Sequence, residues 1–175
     1  MTITETARLT LREIVASDAA FIHALLTDPD FVAMIGSRGV ETLADAERAV
    51  QEKYRAGYAQ HGFGMWLVER TADGEKLGMA GLVRRDGLDH VDVGYAFLPA
   101  ARGAGYATEA VRAVLDWAAA RGIAPVVAIV NQENAPSRAI LGRVGMVPDR
   151  TLRLPGADRD VLLYVPASET DMPAA

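Results

Sequence analysis

Cysteine is absent from these 175 residues. That removes disulfides, thiolate nucleophiles and cysteine-bound zinc in one step. Histidine is scarce as well: His23, His61 and His90 are isolated from one another, and no pair has metal-ligand spacing. A bound metal is therefore not expected. Long apolar runs are missing too. No stretch approaches the roughly 18–20 residues that a membrane-spanning helix needs, and the opening Met-Thr-Ile-Thr-Glu-Thr lacks the basic-then-apolar layout of a secretory signal. The expectation is a cytoplasmic protein with no membrane partner. Grouped positive charge is the last absence. Against 23 Asp and Glu stand 18 Lys and Arg, a formal charge of −5, without the basic clusters that grip a phosphate backbone. No nucleic-acid partner is expected. A modest acidic excess favours a cationic substrate only weakly, since charge of this size mostly serves solubility.

Half of the residues are hydrophobic, and a chain of this length buries most of its unfolded surface in one core. The expected organisation is a single domain over residues 1–175, with its core at about 8–165 and a frayed tail at 166–175. Residues 8–14 alternate Leu9, Leu11 and Glu13 against Thr10 and Arg12, as a strand does. Ser17 is placed to cap a helix running to Thr27 and closed by Pro29. Residues 31–40, with Met34, Ile35 and Arg38, read as an irregular segment that either lines a substrate pocket or only connects. Thr42-x-x-Asp45 opens a second helix with Leu43, Ala46, Val50, Tyr54 and Gly57 on one face. Strand-like runs at 64–70 and 77–84 flank Thr71-Ala72-Asp73-Gly74 as a hairpin, and Asp86-Gly87 turns the chain into a third strand at 91–97. Val111, Val114, Leu115 and Ala118 then recur at helical spacing up to Gly122. A continuous apolar run at 125–130 suits a buried strand. A short helix stopping at Gly145 and a last strand at 161–165 complete the chain.

The stretch at 91–110 organises the rest. Arg102-Gly103-Ala104-Gly105-Tyr106-Ala107 passes from a strand straight into a helix. The first amides of a helix have no internal partner and the dipole makes that end positive, so such a loop takes a phosphate without a lysine. Glycine lets the backbone come close to the anion. A tight connection with no ligand is the competing reading. A dinucleotide fingerprint does not fit, because its third glycine would fall on Thr108 and its acidic residue near Pro125 and Val126. A Walker loop fails sooner, since no Gly-Lys-Ser/Thr follows the glycines.

Arg102-x-x-Gly105-x-Ala107 resembles the Q/R-x-x-G-x-G/A acyl-CoA signature of the GNAT superfamily of N-acyltransferases. The wider Gly-x-Gly-Tyr-Ala-Thr-Glu-Ala string resembles its ribosomal-protein N-terminal, or Rim-type, branch. Asn134-x-x-Ser137, with Ile140-Leu141 and Gly145-Met146 after it, is similar to the family's Asn-x-x-Ala/Ser…Gly-Phe motif. The order of elements matches over about residues 8–165. The resemblance implies an α/β (α+β) fold of the GNAT-like acyl-CoA N-acyltransferase kind: a mixed, mostly antiparallel central sheet flanked by helices on both faces, opened into a cleft where the strand before the phosphate loop splays from the strand after the helix. It implies acetyl-CoA as co-substrate, with Arg102, Gly103, Ala104, Gly105, Tyr106 and Ala107 at the pyrophosphate and Asn134 on the pantetheine. It also implies that the backbone amides of Phe97 and Leu98 polarise the thioester carbonyl. Two positions depart from the family pattern. Leu141 stands where many members carry a tyrosine that protonates the leaving thiolate, and Met146 stands in place of phenylalanine. Ser137 is then the candidate donor to sulfur, as in the Rim-type branch, with a helix-capping serine as the alternative.

Amine acylation also needs a neutral amine. A free α-amine has a pKa near 8 and a lysine near 10.4, so at neutral pH the lysine costs roughly 3 kcal/mol more to deprotonate. A site with a weak base therefore suits α-amines. Asp92, on the strand leading to the loop, is the preferred base; Glu109 in the first helical turn also suits dipole compensation, and His61 or His90 would serve only as a relay. Asp28, Asp30, Glu41 and Asp89 either hold a cationic acceptor or form a solvated face. The expected activity is acetyl transfer from acetyl-CoA to a primary amine, foremost a protein or peptide N-terminal α-amine. A small-molecule amine such as a polyamine, amino acid or antibiotic-like compound comes second. A non-catalytic acyl-CoA-binding module, suggested by Leu141, is the reading from a different class. The resemblance also leaves room for a homodimer.

Overall fold

Alternating side chains reach opposite faces of a strand, and both faces of the central sheet here are covered. The computed structural model describes residues 1–168. Five strands, β1 (Thr2–Glu5), β2 (Leu9–Arg12), β3 (Met65–Arg70), β4 (Lys76–Val83) and β5 (Asp92–Phe97), form an antiparallel sheet in sequence order. The strands β6 (Ala128–Val130), β7 (Met146–Leu152) and β8 (Val161–Pro166) form a second antiparallel sheet in the order β6-β8-β7. A parallel bridge between Asp92 and Val127 joins the two. There the Val93 N–H donates to the Val127 carbonyl at 2.9 Å, and the Val127 N–H donates to Val91 at 3.0 Å. Past that point β5 pairs with β4 and β6 with β8, so the sheet is mixed, mostly antiparallel, and parts between β5 and β6.

The helices are α1 (Ala19–Leu26), α2 (Pro29–Ile35), α3 (Leu43–Ala49), α4 (Ala56–His61), α5 (Tyr106–Ala119) and α6 (Ala135–Arg143). On β3, Trp66 and Val68 pack with Ala110, Val111 and Val114 of α5, while the intervening Leu67 packs with Ile22, Leu25, Ala46 and Val50 of the N-terminal helical layer. Removing each large apolar side chain from water contributes roughly 1.5–3 kcal/mol, so this alternation holds helices on both faces. The β3 and β4 backbones meet closely at Gly81, where a Cβ would lie 2.1 Å from the Gly64 carbonyl oxygen.

Several elements differ from the sequence reading. An edge strand, β1, precedes the expected first strand. Ser17 does not cap the first helix; a 3-10 turn at Ala16–Asp18 leads in, with the Asp18 carboxylate accepting the Val15 N–H at 2.8 Å. Pro29 opens a helix rather than closing one. Its fixed φ and missing N–H suit a first helical position, and Asp28 caps it by accepting the Phe31 N–H at 3.1 Å. Residues 31–35 are therefore helical, not irregular. The Thr42–Asp45 capping box starts α3 as expected, but the helix then widens into a π-helical segment, Val50–Arg55, before α4 ends on left-handed Gly62. Leu43 is exposed, whereas Ala46, Val50 and Tyr54 are buried. Strand β7 was not expected, because its side chains are mostly exposed and carry no alternating signal. Pro166 pairs with Met146, and the Ala167 N–H donates to Gly145 at 2.9 Å, so the frayed tail does not begin at 166. Its remainder, residues 169–175, lies outside the described residues.

Candidate active site

The parting of β5 from β6 opens a cleft of about 1420 Å³, bordered by α2, the loop before α5 and the start of α6. Gly103 and Gly105 both take left-handed backbone angles, φ 81° and 80°, which disfavour any side chain with a Cβ. Gly105 is the N-cap of α5, and the first helical bond is Glu109 N–H to the Gly105 carbonyl at 3.1 Å. The N–H groups of residues 103–108 have no acceptor among the described residues. A run of donors on a positive helix end is chemically fitted to the oxygens of a phosphate.

A charged brace holds this loop. Arg8, just before β2, donates from Nη1 to the Ala104 carbonyl at 2.9 Å and from Nε to Glu109 at 2.7 Å, while its guanidinium lies 4.7 Å from the Tyr106 ring centre. Thr6 donates to the same carboxylate at 2.5 Å. Burial alone would raise the Glu109 carboxyl, but the hydrogen bonds from Thr6 and Arg8 outweigh it and hold the group below its ordinary value. Glu109 is thus an anchor occupied by Thr6 and Arg8, not a base facing the cleft. Arg102 reaches the other way: its Nε donates to Phe97 at 3.1 Å, and its terminal nitrogens meet Asp30 at 2.5 Å and Asp28 at 3.3 Å. The loop is therefore tied to the start of α2, and Asp28 and Asp30 are already committed to a protein cation.

Midway along the cleft, the direction of the β5 amides matters. The Leu98 N–H donates to the Leu77 carbonyl at 3.0 Å. This corrects the expectation for Leu98, whose amide is spent within the sheet. Antiparallel pairing alternates, so Phe97, opposite Gly78, turns its N–H away from β4 toward the parting. Across from it, Asn134 caps α6 by accepting the Ser137 N–H at 3.1 Å. Ser137 is not the cap. Its hydroxyl instead lies 2.7 Å from the Tyr95 hydroxyl, which also reaches the Ser137 carbonyl at 3.1 Å. Burial pushes the Tyr95 phenol up to about 12, against a smaller opposing pull from Ser137, so it stays protonated at neutral pH. Leu141 is buried in the core, and the hydroxyl beside Ser137 comes from β5 instead.

At the far end of β5, Asp92 is 1 % exposed and both its oxygens accept from Arg85 Nε, at 2.9 and 3.0 Å. Burial raises its carboxyl above the ordinary value, opposed by the charges of Arg85 and Arg38. Asp92, Phe97, Arg102, Gly103, Gly105, Tyr106, Ala107, Asn134 and Ser137 all border the cleft; Leu98 and Ala104 do not. None of the histidines borders it. His23 contacts the Glu41 carbonyl and His61 stacks on Phe63, so neither His61 nor His90 stands beside the cleft as a relay.

The family model for the acetyltransferase (GNAT) domain matches residues 8–147. The chain belongs to the GNAT acetyltransferases. It is accordingly an acetyl-CoA-dependent N-acetyltransferase that transfers acetyl to an amine. An uncharacterized N-acetyltransferase of Bacillus subtilis, YoaA, is 27 % identical over 153 residues, covering 86 % of each chain. An acetyltransferase from Agrobacterium tumefaciens superposes with a TM-score of 0.78 at 25 % identity over 94 % of both chains. The ribosomal L7/L12 α-N-protein acetyltransferase RimL, solved with coenzyme A, gives a TM-score of 0.78 at 19 % identity, over 94 % of this chain and 97 % of that one, which carries the Rim-type likeness at the level of fold. Two site features of this GNAT chain were missed in the sequence. Tyr95 carries no motif, and Arg8 lies far from the loop that it braces; neither pairing has a short-range signal.

Proposed function

We propose that this acetyltransferase acts on primary amines, foremost the N-terminal α-amine of a protein or peptide, with coenzyme A held by residues 102–107 and Asn134. Bound acetyl-CoA supplies an acetyl thioester. The uncommitted amides of residues 103–108 grip its phosphates, and the Asn134 side-chain amide meets the pantetheine. The Phe97 N–H donates to the thioester oxygen as charge develops there. The proton shed by the attacking amine reaches Asp92, at the far end of β5 from Phe97, through a chain of water in the cleft. Ser137 hands a proton to the departing sulfur while its oxygen takes one from the Tyr95 hydroxyl, which recovers it from solvent, so neither hydroxyl is left ionised.

The observation that carries the choice of an α-amine is the weakness of the base. Asp92 is engaged by Arg85 through both oxygens, and no histidine borders the cleft. Such a site offers little to offset the additional 3 kcal/mol or so that a lysine ammonium demands. Incubating the protein with acetyl-CoA and matched α-amino peptides, lysine peptides and small amines, followed by free thiol and product mass, tests this. The α-amino peptides should turn over fastest. Preferred acetylation of lysine side chains or polyamines would refute the choice of acceptor, and tight CoA binding without turnover of any amine would leave a binding module.

A further inference from the structure

The acceptor end of the cleft carries positive charge that the catalytic assignment does not use. Arg38 follows α2, Lys53 comes from the π-helical segment Val50–Arg55, and Arg85 follows β4; all three border the same cavity as Asp92 and Tyr54. Arg8, Arg12, Arg48, Arg70 and Arg102 each sit in an ion pair. Arg38 and Lys53 have no carboxylate within ion-pair distance among the described residues. Arg85 has Asp92, which engages its Nε and leaves the two terminal nitrogens without a partner there.

The three cations also feel one another. Desolvation lowers the Arg38 guanidinium and the Lys53 ammonium below their ordinary values, and repulsion adds to it, from Arg85 on Arg38 and from both arginines on Lys53. Gathered along one wall of the cleft, they repel one another, and an anion bound among them would relieve that repulsion. Basic residues outnumber acidic ones along the cleft, in a chain whose formal charge is −5. Position separates this group from the coenzyme loop. Asp92 and Phe97 are the two ends of β5, roughly 17 Å apart at strand rise. π-Helical turns are uncommon and recur at functional sites, because the wider turn re-aims its side chains. Beside the cations, Val32, Met34 and Ile35 of α2 expose apolar surface along the cleft wall.

Resting on the amine-acetylation reading above, we propose that the acceptor carries an anionic group set back from its amine, a carboxylate or a phosphate, and that Arg38, Lys53 and Arg85 bind it. The guanidinium forks take the oxyanion and the ammonium adds a point charge. A cationic acceptor, which the acidic composition weakly suggested, finds its candidate carboxylates Asp28 and Asp30 already paired with Arg102.

The test measures binding and turnover separately. Fluorescent peptides with alanine first and aspartate, phosphoserine or lysine at the second to fourth positions are titrated into the CoA-loaded protein, and the same peptides, free glutamate and spermidine are assayed with acetyl-CoA. Tenfold or greater preference for the anionic peptides is expected in both affinity and kcat/KM. Glutamate turnover at the peptide rate would mark a small-molecule acceptor, and turnover of the acidic peptides alone a polypeptide. The double variant R38Q/K53Q should lose the discrimination with CoA affinity unchanged, and Lys53→Glu should shift it toward the lysine peptide. Equal binding of the acidic and basic peptides, or full discrimination in the double variant, overturns the anion site. Charge-selective binding with no turnover of any amine would sink the amine-acetylation reading while the anion site stands; turnover with no charge preference would do the reverse.

Discussion

Substituting Ser137 by alanine tests the acid of the reaction, and the pH dependence of the loss is more informative than its size. A thiol with a pKa near 8.5 leaves as thiolate, so at pH 7 protonating it is worth about 2 kcal/mol, or about 30-fold in rate. That is a ceiling for any general acid here. The ceiling falls tenfold for each pH unit and vanishes near pH 8.5, where the free thiolate is no longer uphill. The wild-type to Ser137→Ala ratio of kcat should therefore be largest at the lowest pH assayed and approach unity by about pH 9. The ratio cancels the common gain from deprotonating the amine. It must be taken from single-turnover thiol release, so that product dissociation does not mask the chemistry.

Tyr95→Phe provides the second arm. The Tyr95 hydroxyl lies 2.7 Å from Ser137 Oγ and, with its pKa pushed up to about 12 by burial, does not ionise over this range. Its loss should cost one orienting hydrogen bond, about 0.5–1.5 kcal/mol or roughly 2- to 13-fold, and add little to Ser137→Ala in the double variant. A pH-independent deficit in Ser137→Ala would refute the acid role. So would full additivity of the two variants. Stability supplies the control: Asn134 caps α6, so Ser137→Ala should leave the melting temperature nearly unchanged while Asn134→Ala costs about 1 kcal/mol.

Three further outcomes follow from other parts of the molecule. Gly105→Glu puts a side chain on a backbone at φ 80°, with its Cβ 3.4 Å from Arg8 Nη2; CoA affinity measured by calorimetry should fall at least 100-fold, and near-native affinity would remove the loop as the phosphate site. Asp92→Asn should lower kcat with CoA affinity intact, and normal turnover would exclude it as the base. Asp18 is fully buried. Burial alone would raise its carboxyl, but hydrogen bonds from Arg12, Lys76 and the Val15 amide outweigh that and hold it at about 2. A depressed folded pKa stabilises above the unfolded value and is lost as pH falls through the folded one, so about 2 kcal/mol should disappear between about pH 4 and 2. Denaturant midpoints for wild type and Asp18→Asn should converge over that window; a constant gap would contradict the pairing.

The same contrast between local and distant signals decides what could be read in the sequence. The capping box at Thr42, the β3–β4 hairpin and the glycine loop before α5 are legible because every participant lies within a few residues and its backbone need is chemical: a hydroxyl for an orphan amide, a glycine for a left-handed angle. Pro29 misleads because proline is equally at home after one helix and at the start of the next, and the deciding acceptor, Asp28, serves either reading until its partner is known. Strand β7 is silent because an exposed strand has no apolar period. The site divides in the same way. Its amides were legible since a loop supplies them in sequence, but Tyr95 and Ser137 are 42 residues apart, Arg8 and Glu109 are 101 apart, and the cations Arg38, Lys53 and Arg85 come from three separate elements. Taken singly, Tyr95, Arg8, Lys53 and Arg85 read as ordinary polar side chains with no assigned role. What gives Tyr95, Ser137 and the three cations chemical meaning is the parting of β5 from β6, which sets them around one cavity. The coenzyme half of such a site is therefore written along the chain, whereas the acceptor half exists only once the chain is folded.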